Sequence, residues 1–102
     1  MEPNQPHQFY EGDSVTFRGY FHANGVEQIP DAGTGLAEVW KLGDDTVFLA
    51  STSATISGNY IEKKLSSLEK GTYIIYLTAS YNSGADTRTG AIEFIVREKK
   101  AS

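Results

Sequence analysis

Cysteine is absent from the 102 residues, which excludes disulfides, thiolate metal sites and cysteine nucleophiles together. Histidine occurs only as His7 and His22. No apolar run approaches the roughly 20 residues of a membrane-crossing helix; the most apolar stretch is the short one from Tyr73 to Leu77, and membrane insertion is not expected. A basic excess is also missing. Nine Lys and Arg against thirteen Asp and Glu leave a net charge of −4, the wrong sign for a phosphate backbone, so nucleic acid is not an expected partner. The opening residues Met1-Glu2-Pro3-Asn4-Gln5-Pro6-His7-Gln8 have neither a cationic start nor an apolar segment, and read as no secretory signal.

What is present is a globular composition, 39% hydrophobic and 22% charged, in a length that suits one domain spanning residues 1–102. Period-two alternation runs through it, broken by Gly, Asn and Asp. From Ser14 to His22, Val15, Phe17, Gly19 and Phe21 alternate with Thr16, Arg18, Tyr20 and His22, a half-buried strand. Residues 23–35 carry Gly25, Gly33, Gly35, Pro30, Asn24 and Asp31 and read as loop, with Val26 and Ile29 expected to tuck inward. Leu36 to Leu42 and Thr46 to Thr55 read as a hairpin around the turn Gly43-Asp44-Asp45.

A fourth strand opens at Gly58-Asn59-Tyr60 and runs to Leu65, and Ser66 to Lys70 forms a corner. Tyr73, Ile75, Leu77 and Ala79 then make one row of the strongest strand, with Ile74, Tyr76, Thr78 and Ser80 on the other. Asn82 to Asp86 reads as loop and Gly90 to Arg97 as the last strand, with Ile92, Phe94 and Val96 on one face. With a short segment from Gln8 to Tyr10, the expected fold is all-β: an antiparallel sandwich of about seven strands with an ordered core over about 9–97.

Candidate chemistry is sparse. His22 shares the outward row of Thr16 and Arg18, and His7 falls in an expected flexible tail, so both read as solvated surface histidines. There is no Gly-x-Ser-x-Gly elbow to expose a nucleophile. The carboxylates Glu11, Asp13, Asp44 and Asp45 sit beside Gly in turns, where such side chains cap backbone; a calcium cage needs six or more oxygens. Gly33-Thr34-Gly35 lacks the Lys-Ser/Thr of a phosphate loop. The expectation is a protein that is not an enzyme and takes no cofactor or metal.

Tyr73, two residues after Gly71 and just past Leu65 and Leu68, looks like the tyrosine corner of immunoglobulin-like sandwiches. Taken with Gly12-Asp13-Ser14-Val15-Thr16-Phe17, Gly58-Asn59-Tyr60, Leu68-Glu69-Lys70-Gly71-Thr72-Tyr73 and Gly90-Ala91-Ile92-Glu93-Phe94-Ile95-Val96, the chain resembles the immunoglobulin-like modules of phage tail, baseplate and capsid proteins and of prokaryotic cell-surface proteins. The resemblance implies a structural role, and for Tyr73 a hydroxyl bonded back to the corner's backbone.

It also implies that the third, sixth and seventh strands adjoin in one sheet. Parity puts Ala37 and Val39 inward and Glu38 and Trp40 outward, so Trp40, Ile74, Tyr76 and Ile95 would share one exposed face, rimmed by Glu38, Glu93 and Arg97. Such a face reads as a surface for protein, either another copy or a neighbouring subunit. The alternative has Trp40 filling a gap under the loop of residues 23–35. The expected setting is a virion component assembled in the host cytoplasm, such as a decoration, tail or baseplate protein. The alternatives are an extracellular module of a larger cell-surface protein, or a carbohydrate-binding module with Trp40 and Tyr76 stacked on sugar rings.

Overall fold

The computed structural model describes residues 7–20, 22, 23, 26, 27, 29–81 and 83–98, with the backbone alone for 22, 23, 26 and 27. Among them there is no helix. One sheet has five strands in the order β1 (His7–Tyr10), β10 (Asp86–Arg97), β9 (Gly71–Tyr81), β5 (Leu36–Lys41) and β6 (Thr46–Ser53). The second has three, in the order β2 (Val15–Tyr20), β8 (Tyr60–Leu65) and β7 (Thr55–Ser57). A two-residue pair, β3 (His22–Ala23) and β4 (Val26–Glu27), stands apart from both. All pairings are antiparallel except β1 with β10, which is parallel from His7 opposite Phe94 to Tyr10 opposite Arg97.

The alternation written in the sequence becomes burial. Ala37 and Val39 on β5, Tyr73, Ile75, Leu77, Ala79 and Tyr81 on β9, and Phe94 and Val96 on β10 all point to one side and are buried. Phe17, Ile61 and Leu65 from the smaller sheet meet them. Removing a side chain such as Val39 or Ile75 from water contributes about 1.5–3 kcal/mol, and these rows supply the force that holds the two sheets together. At one end the packing is aromatic: Phe94 stacks on Tyr73 at 5.2 Å and 11°, lies 4.6 Å from Phe17, and meets the edge of Phe9 at 6.0 Å.

Several boundaries differ from the sequence reading. The stretch expected as one strand over 46–55 is two, because at Ala54 the chain leaves the five-stranded sheet and enters the three-stranded one. The Ala54 amide donates to the Gly35 carbonyl at 3.0 Å, pinning the crossover to the start of β5. A Cβ at position 35 would stand 2.5 Å from the Ala54 carbonyl oxygen and 3.1 Å from Ile56 and Ile61. Gly35→Ala is therefore expected to cost about 1–3 kcal/mol through forced backbone movement, read as a lower urea midpoint with unchanged slope.

The last strand starts at Asp86 rather than Gly90. Ser83 (φ 57°) and Gly84 (φ 88°) close a turn tight enough for Asp86 to pair with Tyr81, and hydroxyl contacts between Thr78 and Thr89 (3.0 Å) and between Ser80 and Thr87 (3.4 Å) extend the ladder. Their polar composition hid this extension. His7, expected in a flexible tail, is in β1, so this strand starts one position before the expected Gln8. Ile29 is 73% exposed rather than tucked in, because Pro30 takes the inward place. Asp31 then straps the loop to the β9–β10 turn, accepting from the Ser83 and Gly84 amides at 3.3 and 2.8 Å. Phe21 and the side chains of His22 and Val26 lie outside the described residues.

Candidate functional site: the outer face of the five-stranded sheet

Register decides which side chains meet on the outer face. Trp40 stands opposite Ile74, and Ile74 opposite Glu93, in one row across β5, β9 and β10. The next row runs Glu38, Tyr76, Ala91. Trp40, Ile74 and Tyr76 are thus neighbours, each half-buried and each on the opposite side of its strand from the core residues. Ile95 shares the face one row away, opposite Thr72 on one side and Gln8 on the other, diagonal to Ile74.

The candidate rim residues Glu38 and Arg97 are placed differently from each other. Glu38 lies within the patch, between Leu36 and Trp40 on the same side of β5. Arg97 is at the far end of β10, its Nε donating to Gln8 Oε1 at 3.0 Å. The face also extends further than the sequence indicated. Val47 on β6 pairs with Trp40 and is 46% exposed, and Leu36 is 45% exposed. Alternation could not reveal Val47, because the β5–β6 register shifts twice around Val39; these irregularities break the simple parity of β6. The alternative places Trp40 under the loop of residues 23–35, parts of which lie outside the described residues. The described part of that loop is tied to β9, Asp31 N donating to Ser80 O at 2.8 Å and Ser80 N to Thr34 Oγ1 at 3.1 Å.

Tyr73 and Gly71 sit behind the face, at the entry to β9. The Tyr73 hydroxyl donates to the Glu69 carbonyl at 2.7 Å while its ring is fully buried. Gly71 takes φ 151° there, and a Cβ would meet Lys41 at 2.9 Å. The β1–β2 turn clamps the same corner: Gly12 N donates to Leu68 O at 3.1 Å and Lys70 N to Glu11 Oε2 at 3.2 Å. Asp13 Oδ2 accepts from Tyr10 N at 3.0 Å, an acid capping its own turn.

Burial, with the Glu69 charge adding to it, pushes the Tyr73 phenol above its ordinary value of 10.0, and burial moves Tyr81 the same way. Below that pH both phenols are neutral in the folded and unfolded chain alike. Above it the unfolded chain releases the proton first, so stability falls as pH rises through and beyond 10.0. Urea unfolding across about pH 9 to 11 should show that decline, and Tyr73→Phe should make it shallower.

Chemically, the face is mixed: Trp40, Ile74 and Val47 adjoin one another, with Glu38, Glu93, Thr72 and Gln8 in the rows around them. The hollow on it, lined by Leu36, Glu38, Ser51, Tyr76 and Thr78, holds about 120 Å³, below the several hundred Å³ usual for a small-molecule pocket. Among the described residues no group of three or more His, Asp and Glu converges on a possible metal position. Asp44 and Asp45 stand exposed in the β5–β6 turn, remote in sequence from Asp86 at the start of β10. Compared with protein families, with curated proteins and with solved structures, the chain finds no match.

Proposed function

We propose that this chain is a non-catalytic, immunoglobulin-like structural module that packs against neighbouring protein subunits through the outer face of its larger sheet. The observation that carries the reading is the row of Trp40, Ile74 and Val47 side by side across three strands, on the side away from the core. A tryptophan set among aliphatic neighbours suits a dry protein contact, since aromatic anchors dominate such interfaces. The immunoglobulin-like assignment is supported by the strand order, by the parallel pairing of β1 with β10, and by the Tyr73 hydroxyl bonded to the Glu69 carbonyl. The virion setting is part of the same proposal and rests on the resemblance to phage tail, baseplate and capsid modules.

The carbohydrate reading asks Trp40 and Tyr76 to stack on sugar rings with polar groups beside them; Glu38 stands opposite Tyr76, but the cross-strand neighbours of Trp40 are Ile74 and Val47. The absence of cysteine makes a clean test available. A bulky maleimide on Glu38→Cys should block assembly with the neighbouring subunit, and the same label on Ser57→Cys, in the other sheet, should not. Equal effects from the two labels, or glycan-array binding abolished by Trp40→Ala, would overturn the reading.

A further inference from the structure

A sheet edge carries unpaired N–H and C=O groups and accepts another strand unless it is short, charged, twisted away or interrupted by Pro. Among the described residues the two larger sheets have four edges, and three are guarded. β1 has four residues and β7 has three. β2 carries Gly19 and places Arg18 on Glu62 at 2.9 Å. The fourth edge, β6, is eight residues long, and the stretch 46–57 around it contains no charged residue, no Pro and no Gly. Its guards are the register shifts against β5 and, at its last residue, Lys63 on the Ser53 carbonyl; Val47 and Phe48 remain 46% and 37% exposed.

We propose that β6 is completed by β6 of a second copy of this chain, paired antiparallel about a two-fold axis to continue the five-stranded sheet across both copies. Charge selects this partner and this direction. The acidic turn Asp44-Asp45 leads into β6, and at its other end Lys63 Nζ donates to the Ser53 carbonyl at 3.2 Å. Antiparallel pairing centred near Ala50 brings the acidic turn of each copy to the Lys63 end of the other. Parallel pairing would set Asp44 and Asp45 against themselves, which is unfavourable. A second copy also carries the same shifted register and the twist that goes with it. The axis places both outer faces on one side of the continuous sheet, with Val47 of each copy near Ser53 of the other. The inference concerns an edge, not the face, and stands apart from the function proposed above.

Sedimentation equilibrium of the full chain from micromolar to near-millimolar concentration tests it. Wild type should show a monomer–dimer equilibrium. Ala50→Lys, at an exposed position, should raise the dissociation constant about tenfold or more by opposing like charges. Asp44→Lys and Lys63→Glu should each weaken association, and the double variant should recover it, a pattern that misfolding cannot produce. A wild type that stays monomeric throughout, an Ala50→Lys variant that associates like wild type, or a charge swap without recovery would each overturn the proposal.

Discussion

Tyr73→Ala is expected to lower the unfolding free energy by about 3–5 kcal/mol, the usual range for deleting a fully buried aromatic ring. The ring is 0% exposed, stacks on Phe94 at 5.2 Å and meets Phe48 edge-on at 5.2 Å. Its loss leaves a cavity in the aromatic end of the core, between Phe94 on β10 and Phe48 on β6. Since a domain of this kind is stable by only about 5–15 kcal/mol, the variant should be close to unfolding in water. Tyr73→Phe separates the ring from the hydroxyl. It keeps the stacking and loses the 2.7 Å bond to the Glu69 carbonyl, so it should cost about 1 kcal/mol. Urea titrations of both variants provide the measurement. A Tyr73→Phe midpoint equal to that of wild type, with equal slope, would mean that the hydroxyl bond does not hold the corner.

Trp40→Ala should act on association, by about 2 kcal/mol or roughly 30-fold in the dissociation constant, with little change in folding. The indole is half-buried among Ile74 and Val47 on the face turned away from the core, so truncating it removes contact area from that face and opens no internal cavity. A core tryptophan would behave in the opposite way, with a collapsed midpoint and unaltered binding. Measuring the midpoint and the binding constant on the same variant therefore decides the matter, and a collapsed midpoint with unaltered binding would remove the face from consideration.

Much of the fold was legible where alternation is strict and one face is buried. Tyr73 to Ala79 and Ile92 to Val96 each carry an unbroken inward row, and a one-residue slip would drive that whole row into water. Legibility failed where polar residues extend a ladder, as from Asp86 to Thr89, and where register shifts suspend the alternation, as on β6. The candidate face was partly legible for the same reason: Trp40, Ile74 and Tyr76 follow from parity, but Val47 depends on pairing across the shifted β5–β6 register.

Composition and local pattern were enough to establish an all-β chain without cysteine chemistry, and to establish which side of each regular strand turns inward. Burial enforces that choice residue by residue, and it needs no knowledge of distant partners. Which strands adjoin is a different kind of question. The sheet change at Ala54, the parallel docking of β1 on β10 and the alignment of Trp40 with both Ile74 and Val47 depend on contacts between residues far apart in the chain. Those contacts are selected by the packing of the whole core and by backbone hydrogen bonds common to every residue type, so they leave little local trace. They also set which residues meet on the outer face, and for that reason the candidate interface is a property of the tertiary structure.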